Sequence, residues 1–338
     1  MKKRYLLLLS VVTLFLCFSG KKDKPAYRLY DTKGHSESYN DLLKAASQAD
    51  VVFFGEIHDN PICHWLELEL TKDLYTLKKG KIILGAEMFE RDNQLLLNEY
   101  ISKMIRKKDF EAEAKLWPNY KTDYAPVIDF AAEHGIRVIA TNIPRRFAAI
   151  VNEKGMAGLD SINGLERGMV APLPMKYNPN LKCYKDILEA MGDAAAMHSG
   201  PNIAHAQAIK DATMAASIMK NLADSNTFIH FNGSYHSDNY EGLVWYTKEY
   251  NKRNATDLKI LVISSVEQDK INYLDKDNLN KGDFILCIPS TMTKTQIPSY
   301  SQPVVMPPAG KTPLIKKEVP AAKDSVEEGN DESEEDDD

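Results

Sequence analysis

The chain has 338 residues, of which 43% are hydrophobic, and a formal net charge of −6. That length and composition support one sizeable buried core. The acidity is local: Asp324–Asp338 carries ten acids and no base, residues 1–20 carry +3, and the remainder stands at +1. The body therefore lacks the basic excess that nucleic-acid binding needs.

Residues 1–20 read as an export signal. Lys2, Lys3 and Arg4 precede the apolar run Tyr5–Phe18, which ends in Ser19 and Gly20. The run is about 14 residues long, against roughly 20 for a membrane span; the alternative is an uncleaved anchor. Cys17 stands where a lipidated cysteine would, but Leu16 precedes it in place of a small residue, so lipidation stays open.

Six runs rich in apolar and β-branched residues follow: Val51–Gly55, Lys81–Ala86, Arg137–Thr141, Thr227–Phe231, Lys259–Ser264 and Asp283–Pro289. Most are apolar throughout, as suits strands buried on both faces. Segments of helical period separate them, at Pro61–Leu77, Asp92–Met104 and Tyr124–His134, the last closed by Gly135. Strand alternating with helix predicts an α/β fold, a mostly parallel central sheet flanked by helices. Residues 147–222 hold no convincing strand and read as a smaller helical insertion or subdomain, with helices near Leu181–Met197 and Pro201–Leu222. The α/β domain is expected over 25–290. From 291 to 338 a Pro- and Lys-containing stretch and then the acidic tail are expected to be disordered. Cys63, Cys183 and Cys287 match no zinc knuckle or dense disulfide framework, although an exported protein is able to pair two of them.

Polar residues gather where four strands end. Val51–Gly55 runs into Glu56, Ile57, His58 and Asp59; Lys81–Ala86 into Glu87 through Arg91; Arg137–Thr141 into Asn142; and Thr227–Phe231 into Asn232 through His236. Ligand crevices of open parallel sheets lie beyond the carboxyl ends of the strands, so these loops are expected to bring Glu56, His58, Glu87, Arg91, Asn142 and His236 together. His236 and Asp59 also suit helix caps, and Arg91 suits a surface turn. Glu56 and Glu87 resist that reading, because each extends a buried strand where an unpaired carboxylate is costly. Two acids and two imidazoles can hold a divalent metal, act as general acid and base, or form a fixed hydrogen-bonded cluster beside a ligand. In the insertion, Gln207 and Asp211 lie one turn apart on an Ala-rich helix, either as its wet edge or facing the cluster.

Gly55-Glu56-Ile57-His58-Asp59-Asn60-Pro61 and Gly85-Ala86-Glu87-Met88-Phe89-Glu90-Arg91 resemble the opening signatures of ChaN-like haem-binding uptake lipoproteins. Trp117 with Tyr120, Tyr124 and Pro126, then Ala140–Arg145, Ala206-Gln207 with Asp211–Ala215, and Gly233 with His236 continue the pattern. The likeness spans about residues 40–250. Gly242-Leu243 departs from it where Gly-Val-Pro is expected, as does the residue before Cys17. The resemblance implies haem binding with iron held through a tyrosine, with Tyr177 and Tyr184 the first candidates and Tyr120 and Tyr124 behind them. It also implies a homodimer around paired haems, and a place in the periplasm or on the outer membrane of a Gram-negative envelope. The wider superfamily takes in Tiki and TraB proteases and erythromycin esterase-like hydrolases, whose catalytic positions Glu56, His58, Glu87 and His236 match. Three readings follow: a haem-binding envelope protein, a hydrolase with or without a metal on those four residues, and a non-catalytic scaffold.

Overall fold

The computed structural model describes residues 23–189, 202–222, 226–254 and 257–296. The export signal, Cys17 and the acidic tail lie outside them, as does the last part of the helix expected at Leu181–Met197, of which residues 182–189 are helical. In chain order the elements are β1 (Arg28–Asp31), β2 (Ser36–Glu37), α1 (Tyr39–Gln48), β3 (Val51–Glu56), α2 (Pro61–Leu77), β4 (Ile82–Glu90), α3 (Gln94–Ile101), α4 (Lys107–Glu113), α5 (Ala125–His134), β5 (Val138–Asn142), α6 (Arg145–Lys154), α7 (Ile203–Asn221), β6 (Thr227–Gly233), α8 (Gly242–Arg253), β7 (Ile260–Gln268) and β8 (Phe284–Pro289), with short helical turns between.

The sheet order is β2-β1-β8-β7-β3-β6-β4-β5. The six strands from β8 to β5 are parallel, while β1 runs antiparallel to both β8 and β2. The central strands read as unbroken apolar runs because alternate residues serve two cores. Val52, Phe54, Leu84, Ile229 and Ile263 point to one face, where α1, α2, α3 and α5 bring Leu42, Leu70, Leu97 and Ile128. Val51, Phe53, Ile83, Phe228 and Val262 point to the other, against Val151 of α6, Ala208, Ala212 and Ala215 of α7 and Leu243 of α8. Each fully buried large side chain contributes roughly 1.5–3 kcal/mol, and the alanines of α7 let it lie close on β5.

Local signals place the helices. Ser38 and Asp41 form a reciprocal capping box on α1, Asn60 accepts from Ile62 N–H at 3.0 Å at the start of α2, and Gly135 ends α5 at φ 66°. The helical insertion between β5 and β6 packs onto the sheet, with Tyr184, Ile187 and α7 sharing one core with β3 and β6. β1 and β2 carry too few residues to show alternation and were not expected. Residues 291–296 stay tied to the body, Thr295 N–H donating to the Asp59 carbonyl at 2.8 Å. Cys63, Cys183 and Cys287 are free and buried and lie in three different cores, so no two cysteines pair among the described residues. No helix among the described residues is long and apolar enough to cross a membrane.

Two strands run further than their apolar runs. β4 continues from Ala86 to Glu90 through an irregularity that pairs Glu90 with Asn142, and β6 continues to Gly233 opposite Glu56. At Gly55 a Cβ would stand 2.9 Å from Ser234 Cα and 3.0 Å from the Ile263 carbonyl oxygen. Gly55→Ala is therefore expected to cost about 1–3 kcal/mol, read as a lower urea midpoint. An unchanged midpoint would show that the turn after β6 has slack to retreat.

Candidate functional site

Register brings the two acids of the strand ends together. Glu56 pairs with Gly233 across β3 and β6, and Ala86 pairs with Phe231 across β4 and β6, so Glu56 and Glu87 flank the end of β6. Alternation then sends them to opposite faces. Glu56 follows Val52 and Phe54 toward the core under α2 and α5, whereas Glu87 follows Ile83 toward the core under α7. The site is thus two half-sites meeting over the sheet rim rather than the single pocket the strand ends suggest.

On the first face, Glu56 Oε1 accepts from the Tyr124 hydroxyl at 2.7 Å and pairs with His58 Nδ1 at 2.7 Å. Its Oε2 makes no hydrogen bond and lies 3.7 Å from His64 Nδ1. That nitrogen is 3.2 Å from Glu67 Oε2, and His64 Nε2 is 3.1 Å from the His58 carbonyl. Asn119 Nδ2 donates to the same carbonyl and to Asp123 Oδ2, which fixes the loop, and Trp117 stands edge-on to His58 at 4.9 Å.

On the second face, Glu87 Oε2 accepts the Gly233 N–H at 2.9 Å and Oε1 lies 3.1 Å from His236 Nε2. His236 Nδ1 meets Asp211 Oδ1 at 2.5 Å, and Asp211 Oδ2 accepts from the Tyr184 hydroxyl at 2.7 Å. The Gln207 amide lies against the His236 ring at 3.1 Å. His58 joins the halves. A Cβ on Gly233 would stand 2.6 Å from His58 Nε2 and 3.7 Å from Glu87 Oε2, so the bare glycine lets the imidazole lie over the end of β6. At 17% side-chain exposure His58 is more open than Glu56, Glu87 or His236.

The charges follow. Burial alone would raise Glu56, but His64 and His58 overcome it and pull it down to about 2. Burial likewise opposes ionisation of Glu87, yet His236, His58 and the Gly233 N–H hold it well below the usual carboxylate range. Burial would lower His236, but Glu87 and Asp211 push it up to about 10. Glu67 is raised well above the usual carboxylate range by burial and by the adjacent Glu56 charge, and so stays protonated beside an ionised neighbour. An imidazolium clamped by two carboxylates has no lone pair with which to accept a proton, so His236 does not suit a general base at neutral pH. The Cys63 thiol, beside this loop, is pushed up by burial and offers no thiolate.

Sequence reasoning placed Glu56, His58, Glu87, His236, Gln207 and Asp211 in the cluster, and the structure brings them there; Asn142 touches it by donating to the Glu87 carbonyl at 3.1 Å. Arg91 does not reach it and donates instead to Ser217 Oγ at 2.5 Å. Tyr124 and Tyr184 are buried with their hydroxyls spent on Glu56 and Asp211, and Tyr120 is buried beside Phe89 and Phe110. None of these three presents a phenol to a surface ligand, which corrects their candidacy as iron ligands. Tyr177 is half-buried, with its ring 4.3 Å from that of His205 and 5.6 Å from that of Tyr184. Nor do Glu56, His58, Glu87 and His236 enclose one ion. Among the described residues the ligand atoms that come within 4.8 Å of one another belong to Glu56, His64 and Glu67. His64 and Glu67 went unnoticed as site residues, although their i, i+3 spacing on a helix beginning beside Glu56 was a usable signal.

Fold and site together define an α/β protein with an acid–imidazole cluster across the carboxyl rim of its parallel strands. The model of the family described as haem-binding uptake, Tiki superfamily, ChaN matches residues 42–247, and the chain belongs to that family. The structure of ChaN of Campylobacter jejuni with cofacial haem shares the fold at 16% identity and a TM-score of 0.57, covering 77% of this chain and 96% of that one. A structure of the erythromycin esterase EreC aligns at 10% identity over 80% of this chain and 99% of that one, with a TM-score of 0.43, too loose a likeness to carry chemistry. Protein RETICULATA-RELATED 5, chloroplastic, of Arabidopsis thaliana is 26% identical over 117 residues; the match spans 33% of this chain and 16% of that protein's length.

Two substitutions test this geometry. Gly233→Ala is expected to displace His58 and to lower stability by about 1–3 kcal/mol, whereas an unmoved His58 resonance in NMR titration would count against the bridge. Glu67→Gln should raise stability at pH 8. The native state keeps the Glu67 proton after the unfolded chain has lost it near pH 4.5, so wild-type stability falls as pH rises above that value. The variant removes this slope, and equal slopes in melts from pH 5 to 8 would contradict a protonated Glu67.

Proposed function

We propose that the chain is an exported haem-binding protein of the bacterial cell envelope, serving haem or iron uptake or handling. The observation that carries this reading is the family match over residues 42–247; the fold of a protein whose haems lie cofacially supports it. Export rests on the basic and apolar pattern of residues 1–20, attachment to the Gram-negative outer membrane on lipidation of Cys17, and dimerisation around paired haems on the family resemblance, with the cofacial haem binding of the Campylobacter jejuni protein in support.

A ferric porphyrin needs an anionic or imidazole ligand and apolar surface beside it. The Glu56–His236 rim suits it less, because its acids and imidazoles are buried against one another and the nearby Tyr124 and Tyr184 are buried. Tyr177 suits it better. Its hydroxyl has no hydrogen bond among the described residues, and it lies beside the half-buried His205. Leu173, Met175, Ile203 and Trp245 pack on the same core from a partly exposed position. Burial holds the Tyr177 phenol above its ordinary value, so a phenolate there forms only with a cation such as ferric iron to stabilise it.

Hemin titrated into the purified chain should give a saturable Soret shift at about one haem per chain. Tyr177→Phe should weaken it about tenfold or more, equivalent to about 1.4 kcal/mol, and change the band position, whereas Tyr184→Phe should lower the melting temperature and leave the spectrum alone. No saturable shift overturns haem binding, and a spectrum indifferent to Tyr177→Phe overturns the ligand.

A further inference from the structure

The edge of the sheet at β5 holds a cluster of cations that the haem reading does not use. Gln94 seals part of that edge, donating to the Val138 carbonyl and accepting from the Ala140 N–H. Beside it lies a cavity of about 290 Å³ lined by Arg91, Gln94, Asn98, Arg137, Lys220 and Asn221, among others. A second, of about 350 Å³, shares Arg91 and Lys220 and adds Arg167 with the backbone around Gly168–Pro172. Four cations therefore border two adjoining cavities whose lining contains no acid.

The two acids flanking Arg91 are occupied elsewhere: Glu90 pairs with Lys115 at 2.6 Å, and Asp92 pairs with Arg146. Arg91 Nη1 has only the neutral Ser217 hydroxyl, and Arg137 Nη2 only the Asn221 amide oxygen at 3.0 Å. Among the described residues, Arg91 Nε and Arg167 Nη1 are buried without a hydrogen-bond partner. A guanidinium taken out of water and left without an acceptor costs free energy, and burial accordingly pushes the Arg91 group below its usual value. An oxyanion in the cavities would be met by the exposed Arg137 and Lys220 and by the half-buried Arg91 and Arg167, whose guanidinium groups favour a forked pairing. Four uncompensated positive charges favour a multiply charged guest over a single carboxylate.

We propose that Arg91, Arg137, Arg167 and Lys220 form a binding site for a compact polyanion of the pyrophosphate class, separate from the Glu56–His236 rim. The same oxyanion chemistry exists on the two carboxylates of a porphyrin, so the test has two arms. Calorimetric titration of the full chain with sodium pyrophosphate at low salt should give saturable one-to-one binding. Arg91→Gln should weaken it about tenfold or more, from loss of a charge-assisted bond. Because Arg91 is half-buried, the exposed Arg137→Gln and Lys220→Gln provide the same test without a folding effect, each with a loss of about threefold. The hemin titration of the three variants should match wild type. Absence of saturable pyrophosphate binding overturns the proposal, as does binding that the three variants leave unchanged, which would mark an adventitious ion only. Hemin affinity falling in step with these substitutions also overturns it, because the pocket would then belong to the porphyrin.

Discussion

The structure turns on two carboxylates placed where a buried parallel sheet has no water to offer them. Glu56 and Glu87 stand at the ends of β3 and β4 on either side of β6, and an isolated charge in that position is not tolerated. Each is met by an imidazole, and a helix brings further polar groups to each face. α2 supplies His64 and Glu67 on one face, and α7 supplies Asp211 and Gln207 on the other. The cluster therefore ties helices to the sheet through polar contacts as well as through the apolar faces. Breaking such a buried pair by removing one partner costs about 3–5 kcal/mol, a large share of any domain's stability.

That same satisfaction limits what the cluster does. His236 is held as a cation between two acids, Tyr124 and Tyr184 have already donated their hydroxyl protons to carboxylates, and no activated nucleophile adjoins them among the described residues. Most of the rim's donors and acceptors are matched internally, with Glu56 Oε2 and Glu67 Oε1 left over. His58 is the partial exception: it lies over Gly233, more exposed than the rest, and couples the two faces. The two binding sites proposed above lie away from the rim, at the half-buried Tyr177 and at the cations around Arg91.

Much of the architecture was legible from residue pattern. Strands buried on both faces announce themselves as uninterrupted β-branched runs, and Gly135 and Pro61 marked helix ends, because these depend on local backbone chemistry; the cap of α2 is Asn60 rather than Asp59. The strand ends were less legible. β4 runs past Ala86 to Glu90 and β6 past Phe231 to Gly233, since pairing with neighbours extends polar residues into a ladder that propensity alone does not foresee. β1 and β2 join the sheet only by pairing with β8 and with each other.

The sequence by itself determined which residues would stand at the strand ends, and so the acid–imidazole composition of the rim; a parallel sheet with crossover helices leaves them nowhere else to go. Only the tertiary structure decided that Glu56 and Glu87 face opposite ways, because facing depends on the register of alternation in each strand. It also decided that Gly233 admits His58 between them, and that Arg91, Tyr120, Tyr124 and Tyr184 leave or disappear beneath the site. Side-chain direction and burial depend on which helices pack where, and that information is spread over residues far apart in the chain.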